Sequence, residues 1–128
     1  VTTGIIVFAH GSRIEPANQA VRAAAAELVR AGDYPIVEAA FLELGRPSLE
    51  EAADLLISRG VQQIVVIPYF LTPGTHLERD LPVLIQNISS KNKHIQVLVT
   101  PSLDGHPGLV GILADRARGA LVEPRTLK

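Results

Sequence analysis

The chain has 128 residues and a mass of 13.7 kDa, the scale of one domain around one core. Apolar residues make up 47% and charged residues 20%, ordinary globular usage that excludes intrinsic disorder, and a net charge of −1 argues against a general nucleic-acid binder. There are no cysteines, which excludes thiolate catalysis, disulfides, cysteine–zinc sites and iron–sulfur ligation, and leaves any metal to histidine and carboxylate. No apolar run approaches the ~18 residues of a membrane span and no signal-peptide pattern precedes the first strand, so a cytoplasmic chain without membrane contact is expected.

The first apolar, β-branched run, Thr3–Ala9, predicts a strand. A helical stripe of Ala17, Ala20, Ala24 and Leu28 follows, with Pro16 in its first turn and Gly32 at its end. Ile36–Leu42 predicts the second strand. Ser48-Leu49-Glu50-Glu51 is a capping-box pattern opening a second helix with Leu49, Ala52, Ala53 and Leu56 inward and Gly60 after its end. Gln63–Tyr69 predicts the third strand. Its unbroken Ile64-Val65-Val66-Ile67 run marks a strand covered on both faces, as in a parallel sheet.

The third helical stripe is Leu77, Leu81, Leu84, Ile85 and Ile88. Proline cannot donate within a helix, so Pro82 favours a start at Asp80 as N-cap, with Pro82 in the first turn. Ile95–Thr100 predicts the fourth strand, and Leu109, Leu113, Ala117 and Leu121 the fourth helical face, opened by Pro107. A frayed tail is expected over 124–128. The order βαβαβαβα, with right-handed crossovers, gives a four-stranded parallel sheet between helices on both faces.

In an open α/β sheet, ligands bind beyond the carboxyl ends of the strands. The first strand runs into His10-Gly11-Ser12-Arg13, the second into Glu43 and Arg46, the third into Leu71-Thr72-Pro73-Gly74-Thr75-His76, and the fourth into Asp104-Gly105-His106-Pro107. His10, Glu43 and His76 are evenly spaced, one βα unit apart, so successive units deliver a ligand-type residue to one rim. Each histidine alone reads more readily as a capping or hydrogen-bonding residue than as a ligand. Two imidazoles and a carboxylate together suit a borderline divalent ion such as Co(II), Ni(II), Fe(II) or Zn(II), with positions left open for exchange. His94 enters the fourth strand from the opposite end and reads as a surface residue; His106, before Pro107, reads as a helix cap or a substrate contact. Arg13, Arg46 and Arg79 are solvated charges or partners for an anionic ligand. Neither a P-loop nor a GxGxxG follows the first strand, GxSxG is absent, and only two tyrosines and three phenylalanines are present, which counts against a flavin or nucleotide site and a serine hydrolase.

These motifs together resemble a known family. His10-Gly11-Ser12-Arg13 with Asn18, Phe41-Leu42-Glu43 followed by Pro47-Ser48-Leu49, and Pro68-Tyr69-Phe70-Leu71 running to Gly74-Thr75-His76 and Asp80-Leu81-Pro82 are similar to the short CbiX-type chelatases and the related SirB, which insert Co(II) or Fe(II) into sirohydrochlorin. The likeness covers about residues 4 to 121. It implies a three-layer, flavodoxin-like (chelatase-like) half-domain, and a homodimer that mimics two-domain chelatases. It further implies that His10 is a metal ligand and proton acceptor, His76 the second ligand and Glu43 the acidic residue beside the metal. Arg46 and the segment Leu71, Thr72, Pro73, Gly74, Thr75 and His76 fall where the family contacts its tetrapyrrole. Asp104-Gly105-His106-Pro107 departs from the Gly-x-His-Pro more frequent in relatives, and no histidine-rich tail is present.

The expected function is a sirohydrochlorin cobaltochelatase of cobalamin biosynthesis, with no cofactor beyond the divalent metal substrate, Co(II), Fe(II) or Ni(II). A ferrochelatase or nickelochelatase on the same site, and a non-catalytic metal- or tetrapyrrole-binding protein, are the rivals.

Overall fold

The computed structural model describes residues 1–123, with His76 represented by its backbone alone; the tail expected over 124–128 lies outside them. Eight elements alternate along the chain: β1 (Thr3–Ala9), α1 (Glu15–Arg30), β2 (Val37–Phe41), α2 (Leu49–Ser58), β3 (Gln63–Pro68), α3 (Thr75–Lys91), β4 (Gln96–Val99) and α4 (Gly108–Val122). All four strands are parallel, in the order β2-β1-β3-β4. The fold class read from the sequence holds, and the three later strands are trimmed by a residue or so at their ends.

The core has two sides. Ile6, Phe8, Ala40, Ile64 and Val66 face α2 and α3, while Ile5, Val7, Ala9, Val37, Ala39 and Phe41 face α1. Side chains alternate across a strand, so both sets come from the same short runs. Helix α2 begins as its sequence signals. Ser48 Oγ accepts the Glu51 N–H at 3.1 Å, and the Glu51 carboxylate accepts the Ser48 N–H at 2.8 Å. It ends with the Gly60 and Val61 N–H groups donating to the Ile57 and Leu56 carbonyls, with Gly60 at φ 88°. Its buried residues are Leu49, Ala52, Ala53 and Leu56, as the pattern predicts.

Three helix readings need correction. In α1 the buried residues are Asn18, Val21 and Ala25, whereas Ala17 and Ala20 face solvent; the stripe is displaced by one position. Helix α3 starts at Thr75 with Gly74 as N-cap, not at Asp80, and carries Pro82 in its interior. Leu77, fully buried, explains why: it continues the face of Leu81, Leu84, Ile85 and Ile88 one turn earlier, and that burial outweighs the bond Pro82 cannot make. In α4 no residue is buried, and Leu113 and Leu121 are 68% and 83% exposed. The predicted apolar stripe exists, but within one chain it covers nothing.

Candidate active site

Strand order fixes where a ligand can sit. The chain leaves β1 to one side to reach β2, then crosses β1 to reach β3. The switch point therefore lies between the carboxyl ends of β1 and β3. His10 stands at one lip of this crevice and the loop from Tyr69 to Gly74 at the other.

On the β1 side, the parallel ladder continues one step past the strands. Ala9 is paired with Phe41, then the Leu42 N–H donates to the Ala9 carbonyl at 2.9 Å and the Glu43 N–H to the His10 carbonyl at 3.1 Å. His10 and Glu43 are thereby held side by side, both exposed at the rim. Gly11 is what lets the two loops approach. Its φ is 94°, and a Cβ there would lie 1.6 Å from the Glu43 carbonyl oxygen, which no side chain can accommodate.

Two α1 side chains lock this junction. Asn18, 1% exposed, accepts the Ser12 N–H and donates to the carbonyls of Ser12 and Leu44, each at 2.9 Å, with a longer bond to the Glu15 carboxylate. One buried amide thus ties the His10 loop to the Glu43 loop. Its bond to Leu44 also holds a residue in the left-handed region, φ 58°, where a leucine is uncommon. Arg22 stacks 5.1 Å above the Phe41 ring, donates to the Arg46 carbonyl at 2.9 Å and pairs with Glu15 at 2.7 Å. That pairing holds the Glu15 carboxyl below its ordinary value.

On the β3 side, Leu71, Thr72 and Gly74 are exposed and Pro73 half-buried. Thr75 and His76 are the first two residues of α3, which puts the His76 backbone on the same rim. The loop is fastened to the one after β4, where Leu103 and Asp104 donate to the carbonyls of Phe70 and Leu71 at 3.0 and 2.9 Å. His106 accepts the Gly108 N–H on Nδ1 at 2.8 Å from the position before the α4 N-cap, which is Pro107 and not His106. Beside the loop is an apolar cavity of about 410 Å³ walled by Phe70, Pro73, Leu77, Leu81 and Val99.

Arg46 is exposed and paired with the Glu51 carboxylate. The Ser48 backbone N–H first, and Arg46 second, hold the Glu51 carboxyl below its ordinary value. Among the described residues no group of three or more histidine and acidic side chains is gathered to hold a metal. The structure therefore brings together His10 and Glu43, and adds the backbone of the 71–76 segment across the crevice. The sequence reading named Asn18 with the His10 motif but gave it no part in the site, and it did not single out Arg22. A polar residue in phase with Val21, Ala25 and Leu28 is the signal that marks Asn18.

The family described as CbiX matches residues 4–120. The chain is 35% identical over 118 residues to the chloroplastic sirohydrochlorin ferrochelatase of Arabidopsis thaliana, covering 92% of this chain and 52% of that protein. It is 34% identical to the sirohydrochlorin cobaltochelatase of Sulfolobus acidocaldarius, covering 92% of each. Among solved structures, the sirohydrochlorin chelatase SirB from Bacillus subtilis subspecies spizizenii, in complex with cobalt, superposes with a TM-score of 0.80 at 27% identity, over 92% of this chain and 50% of SirB. The chain thus spans about half the length of the plant protein and of SirB, and nearly all of the archaeal one. The family match spans all four strands of the parallel sheet and the polar loops on its rim, and the chain belongs to the CbiX family.

Proposed function

We propose that the chain is a sirohydrochlorin cobaltochelatase, a metal chelatase of the lyase class that inserts Co(II) during cobalamin biosynthesis. The observation that supports this most is the His10–Glu43 junction at the lip of the β1/β3 crevice, in a chain aligned nearly end to end with an archaeal protein of that activity. Iron insertion on the same site is the second reading, favoured by the activity of the plant relative.

Insertion exchanges two pyrrole N–H protons for one divalent ion, whose water ligands give way to four ring nitrogens. The oxidation state of the metal is unchanged, so no redox cofactor enters and the ion is itself a substrate. In this reading His10 and His76 present the ion, because two neutral imidazoles hold it while leaving positions open to the ring. His10, once the metal has left, and Glu43 accept the protons. The carboxylates of the macrocycle meet Arg46 and the backbone donors of Leu71, Thr72, Pro73, Gly74, Thr75 and His76, where proline contributes shape and the other residues N–H groups. The apolar wall of Phe70 and Pro73 suits the flat face of the ring.

The proposal includes one domain over about 4–121, cytoplasmic residence and a homodimer whose rims face each other, since a broad disc needs two walls and one rim supplies one. No helix among the described residues is long and apolar enough to cross a membrane. Anaerobic incubation with sirohydrochlorin and Co(II), Fe(II) or Ni(II), followed by absorbance, tests the activity. Faster metallation with Co(II) than in protein-free controls is expected. Rates equal to those controls for every ion would overturn it.

A further inference from the structure

We propose that Glu51 is a specificity-determining residue of the site. It stands in for a ligand carboxylate on Arg46, so that a ligand gains this arginine by presenting a carboxylate able to displace Glu51. This deepens the reading of the chain as one that binds a carboxylate-bearing tetrapyrrole, and rests on it.

Arg46 is fixed by its backbone and free by its side chain. Its carbonyl accepts an N–H of Arg22 at 2.9 Å, and the neighbouring Pro47 carbonyl accepts the Phe41 N–H at 2.9 Å, which ties the loop to α1 and to β2. The side chain is 82% exposed, and among the described residues it makes one polar contact, from Nη2 to Glu51 Oε2. Glu51 is held more firmly. Its Oε1 accepts the Ser48 N–H at 2.8 Å while Ser48 Oγ accepts the Glu51 N–H at 3.1 Å, so the capping box aims the second oxygen before Arg46 arrives. The Ser48 N–H and Arg46 both lower the pKa of this carboxyl, which stays charged at neutral pH.

A guanidinium carries several N–H donors in a planar fork and pairs best with a carboxylate that meets two of them at once. Glu51 engages one nitrogen, because its other oxygen belongs to the cap. A carboxylate on a mobile arm is under no such constraint. It docks on the open N–H groups, turns into the bidentate arrangement and leaves Glu51 to its cap and to water. The exposure of the pair makes this exchange easy, since a surface ion pair contributes little to stability whereas a buried one is hard to part. The result is selective. A ligand with a carboxylate in reach replaces a one-point pair with a two-point pair. A ligand without one meets an arginine already paired, beside a carboxylate that the cap keeps in place, and gains nothing from either.

Equilibrium titration of the parent and of Glu51→Gln with metal-free sirohydrochlorin, followed by visible absorbance, tests the competitor. Glutamine keeps the helix cap, since its side-chain oxygen also accepts the Ser48 N–H, and circular dichroism records the fold. Glu51→Gln is expected to bind about two- to fivefold more tightly than the parent, the span of an exposed ion pair. In an Arg46→Ala background the same change should have no effect, because nothing is left to compete for. Glu50→Gln removes an equal charge from the next position, but Glu50 pairs with Lys91 at 3.3 Å, so its affinity should match the parent's. Three results would each overturn the competitor and leave the chelatase reading standing: equal affinities for the parent and Glu51→Gln, a tightening that persists without Arg46, or the same tightening in Glu50→Gln. A parent that neither binds nor metallates sirohydrochlorin overturns both.

Discussion

Asn18 offers the sharpest test of how the rim is held. Replacing it with alanine removes three short hydrogen bonds, two to Ser12 in the loop of His10 and one to Leu44 in the loop of Glu43, which together join the two loops. A net ~1 kcal/mol for each gives about 3 kcal/mol, and the orphaned Ser12 N–H adds little because water reaches that loop. For a chain of this size the melting temperature should then fall by roughly 10–15 °C. Asn18→Asp should be no better. It keeps the acceptor for Ser12 but turns the donor to Ser12, Leu44 and Glu15 into an oxygen facing three oxygens. Urea denaturation followed by circular dichroism reads the stability, and initial insertion rates under native conditions read the site. A drop of about 10²-fold is expected once the reacting groups lose their registration. A loss under ~1 kcal/mol with an unchanged rate would refute the idea that this amide fastens the two loops.

Other outcomes follow from the same geometry. Gly11→Ala, with a Cβ 1.6 Å from the Glu43 carbonyl oxygen, should prevent folding or cost more than ~3 kcal/mol in urea melts, whereas Gly32→Ala, at φ 98° with nothing within 4 Å, should cost only about 1–2 kcal/mol. The Glu51 carboxyl is held below its ordinary value of 4.5, so its stabilising contribution is complete above that pH and is lost as the pH falls through the lower folded value. The stability gap between the parent and Glu51→Gln should accordingly narrow on acidification, and a gap independent of pH would contradict the assignment. Arg46→Ala should raise KM for sirohydrochlorin more than it lowers kcat, and an unchanged KM would place Arg46 outside the site. In calorimetric Co(II) titrations His10→Ala and His76→Ala should each weaken binding more than His106→Ala does. Glu43→Gln should instead lower single-turnover insertion by roughly 10²–10⁴-fold while sparing metal affinity.

Where the sequence was readable, one residue type carried one message. The Ile64-Val65-Val66-Ile67 run could only be an interior strand, and Ser48 with Glu51 could only open a helix. Phase was lost where alanine fills every side of α1, from Ala23 to Ala26, because alanine marks no face; Asn18 and Val21 set the true stripe. Pro82 misled because its missing N–H weighs locally, whereas Leu77 is rewarded by a core that the local pattern does not contain. The period of α4 was correct and no residue of it is buried, since periodicity marks an apolar face but not what covers it.

The rim followed from strand ends, but what distinguishes its side chains did not, and this bears on their roles. Among the described residues the side chains of His10 and Glu43 make no hydrogen bond; the loops that carry them are fixed through the His10 carbonyl, the Glu43 N–H, Gly11, Asn18 and Arg22. Anchoring by backbone and by a neighbouring helix leaves both imidazole nitrogens and both carboxylate oxygens open to an ion or a proton. His106 differs, because its Nδ1 is spent on the first N–H of α4. Arg46 differs again, since it is paired with Glu51, and under the proposed function a substrate carboxylate would have to displace that partner. A side chain that binds and releases a metal needs at least one ring nitrogen or carboxylate oxygen free for it. Under the proposed function His10 and Glu43 keep every such atom for the exchange, whereas His106 keeps one ring nitrogen.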